Sequence, residues 1–392
     1  MPPSVPTVLA ASTPGSFRET LFKLSDENSK PHLLSLTSSY TNVRPINTST
    51  CSKPMGPPRT ALGRVYASTI RTLSHRARSR TQTQTQTQTR WSSSLPISKL
   101  VFPDDDGAEP SAVRHIHLTS SDPRDAAGFP SYTAASDFQA SLRQAFLDWK
   151  SAPTPRAPSP LVVSFTPTPT YTLGKRQKSL REDQLSRLTR PLSVTLDDGT
   201  IRDFAPAVIE TDRGGLTTYH GPGQVVLWPI LDLRSPYYPH QTVRSYARLL
   251  EETTQAILAS SAPSGPGIPT YLSEEDPGVW TEGARAHGQE RKIAAMGVHL
   301  RRHITGLGTA LNVDVVVDGD ERANPWARFV PCGLEGKTAT SVQAEVGPRW
   351  DAWAAAGDAR ARREWYARRW VEEFARRLGA GAVDGTVYQR LG

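Results

Sequence analysis

The chain has 392 residues, with 46 Lys plus Arg against 38 Asp plus Glu, a formal net charge of +8 and a pI near 9.6. Residues 1–91 hold 12 of the basic and 3 of the acidic side chains, a net of +9, so the other 301 residues carry 34 against 35, a net of −1. The basic excess belongs to the leader, which takes away the main support for a folded body that holds nucleic acid through its phosphates, and no nucleic-acid partner is expected. No apolar run reaches the roughly 18 residues that a membrane span needs, so no span is expected and the mature protein is expected to be soluble.

The leader reads as a targeting segment. No Asp or Glu occurs between Glu27 and Asp104, while Arg59, Arg64, Arg71, Arg76, Arg78, Arg80 and Arg90 are spread among Ser, Thr and Ala. That composition is expected of a mitochondrial presequence, with the alternative of a basic tail that binds anions. The stretch from Met55 to Arg80 has this character by itself, and Thr81–Thr89 (TQTQTQTQT) is low complexity and expected to be unstructured. Residues 1–91 are therefore expected to be presequence and disordered leader, 92–112 a linker, and 113–392 one catalytic domain.

In chain order, VRHIHL (113–118) alternates as a strand, and 136–150 places Phe138, Leu142, Ala145, Phe146 and Trp149 on one helical face. LVVSF (161–165) predicts a strand and TPTPTYTLGKRQ (166–177) a loop. Residues 224–233 predict a strand interrupted at Pro229, 245–261 a helix, 260–278 a surface loop, 292–305 and 310–317 a strand pair, and 363–379 an amphipathic C-terminal helix. Helices and strands mix without a strict βα repeat, which predicts an α+β domain with a mixed sheet and flanking helices.

Two features carry chemistry. RGGLTTYHGPGQ (213–224) sets Gly214, Gly215, Gly221 and Gly223 before an apolar strand, a loop shaped for close approach of a ligand or another backbone. Of two cysteines, Cys51 falls in the leader and Cys332 stands in PCG after an irregular stretch, so no disulfide is expected within the folded body. A lone cysteine is commonly a small buried hydrophobe; a nucleophile needs a nearby cation, and Lys292 is the candidate. His287, His299 and His303 have no metal-ligand spacing with a cysteine, and no metal is expected.

PTYTLGKRQ, RGGLTTYHGPGQVV, VWTEGARAHGQERKIAAMGVHLRR, TGLGTALNV and FVPCGLEGKTATS occur in the order found in the lipoyl(octanoyl) transferase family, and the chain resembles that family over roughly residues 113–347. The resemblance implies a fold similar to the catalytic domain of biotin and lipoate protein ligases. It implies that Cys332 takes an octanoyl group from the 4'-phosphopantetheine thioester of acyl carrier protein, that Lys292 lowers the pKa of that thiol, and that the acyl-enzyme passes the chain to a lysine of a lipoyl domain. The acceptors implied are the lipoyl domains of 2-oxoacid dehydrogenase complexes or the H protein of the glycine cleavage complex, in the mitochondrial matrix, with no cofactor of the enzyme's own. Substrate contacts are implied at Arg213, Gly214, Gly215, Leu216, Thr217, Thr218, Tyr219 and His220, at Ala295, Met296 and Gly297, and at Gly308, Thr309 and Ala310.

The chain departs from the family pattern in three places. Trp228 stands where the family commonly has Tyr, Leu307 where bacterial relatives commonly have His, and the stretch between Asn312 and Cys332 is longer than the bacterial one. Two readings stand for His220, which either holds the glycine loop or orients the reacting groups. Arg213 either pins the loop, with a carboxylate near Asp212 as partner, or binds the pantetheine phosphate. Competing functions are an ATP-dependent lipoate or biotin ligase, which needs no nucleophilic cysteine, and a catalytically silent homologue that binds lipoyl domains.

Overall fold

The computed structural model describes residues 90–91, 95–102, 109–122, 128–177, 179–260, 267–282, 289–329, 337–354 and 359–391. The leader from 1 to 89 and the segment 330–336, which carries Cys332, lie outside the described residues.

The main sheet is mixed. Its strands are β1 (Val113–Ser120), β2 (Leu161–Phe165), β6 (Gln224–Ile230), β7 (Gly278–Thr281), β8 (Arg291–Arg301), β9 (Ile304–Asn312) and β11 (Val383–Leu391). They run in the order β11, β1, β2, β6, β9, β8, β7, with Arg90–Trp91 beside β11 and Tyr271–Leu272 beside β7. The β11, β1 and β2 pairings are parallel and those from β2 through to β7 antiparallel. A two-residue strand, β10 (Thr338–Ala339), joins β8 in parallel. A smaller sheet has β3 (Thr170–Leu173) between β4 (Ala207–Glu210) and β5 (Thr218–His220).

Three long helices cover the main sheet. Helix α1 (Tyr132–Ser151) starts at Ser131, whose hydroxyl accepts from the Ala134 N–H and satisfies one of the first-turn donors. It packs Tyr132, Leu142 and Phe146 against Ile116, Val163, Val226 and Trp228. Helices α2 (Val243–Ala259) and α3 (Ala359–Leu378) pack with each other over a second cluster that contains Leu227, Ile293 and Leu311. Successive residues of β6 thus bury alternate side chains in two different cores, Val226 and Trp228 in one and Val225 and Leu227 in the other. This is why the whole strand is buried and reads as a continuous apolar run.

The mixed sheet with flanking helices agrees with the expected α+β class, and four local expectations are corrected. Strand β6 continues through Pro229, which pairs with Val162. The Pro229 carbonyl points toward β9, where it accepts from the Thr305 hydroxyl at 2.8 Å. The missing N–H points the same way, past Leu227, where the β6–β9 register ends. Second, β3 forms inside the Pro-rich stretch expected as a loop. Third, the chain does not end on a helix, since β11 returns to pair with β1. Finally, within the expected linker, Ile97–Val101 is a short helix that buries Leu100 and Val101 in the α1 core, so ordered packing begins before Val113.

Candidate active site

Strands β8 and β9 pair in a register that sets Ala295 opposite Ala310 and Gly297 opposite Gly308. Two adjacent cross-strand pairs with almost no side chain leave a slot in the sheet surface, and all four residues line a cavity of about 390 Å³. Smallness is required at Gly308: a Cβ there would collide with the Leu227 carbonyl and come within 2.8 Å of Pro229 Cδ. Tyr132, Val226, Trp228 and Leu307 form apolar walls, with Tyr132 edge-on to Trp228 at 5.4 Å between ring centroids.

The polar end is built around Lys292. Its Nζ donates to the Pro277 carbonyl at 3.1 Å and sits 4.5 Å from the centre of the Trp280 ring, a cation–π distance. Lys337 approaches the same ring at 4.9 Å and is fixed by Asp276 at 2.7 Å and Glu290 at 2.9 Å. Hydrogen bonds to those two carboxylates hold its pKa above the usual lysine value. Strand β10 begins at the next residue and lies beside Lys292, with Ala339 opposite it in register and the Thr340 N–H donating to the Lys292 carbonyl at 3.0 Å.

A chain of buried side-chain amides joins this lysine to His220. Asn312 Nδ2 donates to the Thr340 carbonyl at 2.8 Å, so Asn312 Oδ1 accepts, from Gln224 Nε2 at 2.8 Å. Gln224 Oε1 is thereby the acceptor facing His220 Nδ1 at 2.9 Å. A carbonyl can only accept, so this chain fixes the tautomer: Nδ1 carries the proton and Nε2 keeps the lone pair. Burial pushes the His220 pKa down to about 4, with the Gln224 hydrogen bond opposing and the Arg213 charge adding to the fall. The ring is neutral at physiological pH, stacks on Tyr132 at 5.2 Å and lines the cavity.

Arg213 acts as a pin. Its guanidinium donates to the Thr172 carbonyl at 2.6 Å, to the Thr172 hydroxyl at 3.0 Å and to the Gly214 carbonyl at 3.1 Å. These bonds tie the glycine loop to β3. Asp212 is paired with Lys175 at 3.2 Å on the surface. Gly215 needs its lack of a side chain, since its φ of +86° is left-handed.

Of the residues expected at the site, Arg213, Gly214, Gly215, Thr218, His220, Lys292, Ala295, Met296, Gly297, Gly308, Thr309 and Ala310 line this cavity. Leu216, Thr217 and Tyr219 do not. Thr217 donates to Gln177 at 3.0 Å, and the Leu216 carbonyl accepts from the Gly174 N–H at 3.3 Å. Tyr219 packs with Tyr171 and Trp326 and lines a separate cavity of about 470 Å³ near the Arg363, Asp197 and Asp314 ion cluster. Cys332 lies outside the described residues. Tyr132 lines the site without a sequence signal to mark it, and Arg176 lines it from within the PTYTLGKRQ motif, where no site role was expected of it.

The lipoyl protein ligase A/B catalytic domain family matches residues 138–356, more than half of the chain. An octanoyltransferase of Alkalilimnicola ehrlichii is 39% identical over 188 residues, 48% of this chain and 69% of that protein. The chain belongs to the octanoyltransferase family. As a member of it, the protein is an acyltransferase, and the small-residue slot beside Lys292 is its candidate acyl site. Fungal relatives extend the family likeness. A Schizosaccharomyces pombe protein named "Probable octanoyltransferase" is 33% identical over 54% of this chain and 80% of its own length. "Octanoyltransferase, mitochondrial" of Saccharomyces cerevisiae is 30% identical over 47% of this chain and 53% of its own length.

Proposed function

We propose that the protein carries an octanoyl group from acyl carrier protein, through a thioester on Cys332, to a lysine of a lipoyl domain. The observation that carries the reading is the position of the Lys292 ammonium at the end of an apolar slot floored by Ala295, Gly297, Gly308 and Ala310. An acyl chain fits such a slot, and each methylene it buries gains about 0.8 kcal/mol.

In the first half-reaction the Cys332 thiolate attacks the thioester carbonyl of the carrier. A new C–S bond forms, and the pantetheine sulfur leaves and takes a proton from the Lys292 ammonium. In the second, the acceptor amine attacks the acyl-enzyme carbonyl, a C–N bond forms, and the Cys332 sulfur leaves as thiolate. The amine gives its proton to neutral Lys292, which restores the starting ion pair. Thioester exchange is nearly isoenergetic and the step from thioester to amide runs downhill, so the cycle needs no ATP.

His220, neutral and with a lone pair on Nε2, serves as a hydrogen-bond acceptor that orients the incoming amine. Residues 1–91 serve as a mitochondrial presequence, and the mature enzyme works in the matrix. Incubation with octanoyl acyl carrier protein in the absence of ATP, followed by intact mass measurement, tests the reading. An octanoyl adduct that disappears on addition of a lipoyl domain supports it, and a requirement for ATP sinks it.

A further inference from the structure

Leu307 has a backbone conformation that few side chains tolerate. Its φ is +60°, left-handed, inside strand β9 and in register with Val298 of β8. Cross-strand partners ordinarily share a face. Here they do not: Val298 packs against the cluster covered by α2 and α3, while Leu307 packs against the cluster under α1, with Trp228, Tyr132 and Ala310. The left-handed turn takes the side chain across to the α1 side, where it lines the cavity. Helix α1 holds it there, because Gln139, 3% exposed, accepts the Leu307 N–H on Oε1 at 3.2 Å.

The position along the slot gives this turn a consequence. The Lys292 side chain runs along Gly278, its Cε 3.3 Å from a Cβ there, and Gly278 pairs with Ala295, three residues or roughly 10 Å before Val298, the residue opposite Leu307. The two small pairs lie along this stretch. Beyond Leu307 the next pair is His299 and Gly306, and Gly306 is covered by Arg143, whose Nε would stand 2.8 Å from a Cβ there. The slot thus runs from the lysine past a floor of Ala and Gly to Leu307 and a guanidinium. Tyr132 and Trp228 are locked edge-on to each other and Trp228 to Phe165, so of the apolar walls Leu307 is the one placed by a single backbone turn.

We propose that Leu307, turned into the slot by its left-handed backbone and held there by Gln139, is the end stop that sets the length of acyl chain the enzyme accepts. The inference rests on the acyl-transfer reading for its substrate class. A chain as long as octanoyl ends against the Leu307 side chain, and longer ones must displace it or protrude at the lysine.

The test compares wild type with Leu307→Gly and Leu307→Ala. Glycine suits a φ of +60°, so the first variant removes the stop without backbone strain, and alanine gives a second fold-competent probe. The ratio of kcat/KM for dodecanoyl over octanoyl acyl carrier protein is expected to rise at least about tenfold in Leu307→Gly, given that one methylene in an apolar pocket is discriminated by about that factor. A second arm needs no turnover: calorimetric binding of free octanoate and dodecanoate, with the dodecanoate preference rising in both variants. If wild type transfers nothing while the fatty-acid preference still shifts, the transfer reading fails and the stop stands. A ratio unchanged in both arms, or no binding of either acid by any of the three proteins, overturns the stop.

Discussion

Gly297 and Gly308 face each other across strands β8 and β9, and this pair, with Ala295 and Ala310 beside it, opens the floor of the cavity. The two glycines are not equivalent. A side chain at Gly308 meets the backbone carbonyl of Leu227, whereas one at Gly297 meets only the aliphatic stem of Arg213, 3.2 Å from Cδ.

Substitution separates these roles. Gly308→Ala is expected to lower stability by about 1–3 kcal/mol through overpacking against a backbone that cannot yield. Gly297→Val is expected to cost less in stability and to abolish acyl binding by filling the slot. Urea unfolding and octanoate calorimetry check both, and a Gly297→Val protein that binds octanoate normally would place the acyl chain elsewhere.

The amide chain from His220 to Thr340 predicts a large cost for a small change. Asn312→Leu leaves the Thr340 carbonyl and one Gln224 donor buried without their partner, for about 1–3 kcal/mol. It also frees the Gln224 amide to flip, which unsets the His220 tautomer. Chemical denaturation and transfer assays should both show losses, and a change below about 0.5 kcal/mol would mean that the network relaxes.

Much of this site was legible in sequence, and the gaps have definite causes. The α1 pattern announced itself through one helical periodicity, and LVVSF through an unbroken apolar run rich in β-branched residues. The run RGGLTTYH was expected to contribute as a block, yet β5 alternates, so Thr218 and His220 face the cavity and Tyr219 faces the core with Tyr171. Strand β3 was hidden by the prolines around it, and β11 by Gly385 and a half-buried, weakly alternating pattern. Tyr132 reaches the site only because α1 starts over β6, a long-range contact that no local spacing encodes. Leu307 stood out as a departure from the family pattern, but the turn of its backbone is visible only in the fold.

Acid should unfold the protein in a defined window. Burial pushes His115 down to about 3 and His220 to about 4, from an ordinary 6.5. Between pH 6.5 and about 4 the unfolded chain therefore binds protons that the fold does not. Stability from these two groups is fully present above 6.5 and declines as pH falls, by up to about 1.4 kcal/mol per pH unit for each histidine. Urea midpoints measured from pH 7 to 4.5 should fall, with a shallower slope in His220→Gln, and a flat profile would contradict the buried neutral state.

Targeting has its own test. Residues 1–100 fused to a fluorescent protein are expected to enter mitochondria, and a fusion that begins at Met55 is expected to do so too. Cytosolic fluorescence from both would remove the presequence reading.

Lys292→Arg keeps the charge on Trp280 and puts a guanidinium, which stays protonated in proteins, in place of an amine. Acyl-enzyme is expected to form in this variant while transfer to the lipoyl domain falls at least about a hundredfold, the scale of a lost general base. Single-turnover mass measurements resolve the two steps, and a normal overall rate would assign the proton transfer to another group.

The covalent route through Cys332 is open to a mass measurement on two proteins. Wild type and Cys332→Ser are each mixed with octanoyl acyl carrier protein without ATP, quenched in acid and weighed intact. A single octanoyl adduct is expected on the wild type, located on Cys332 by peptide mapping and discharged by a lipoyl domain, and none on the folded serine variant. Octanoyl transfer to the lipoyl domain by Cys332→Ser at most of the wild-type rate would contradict it.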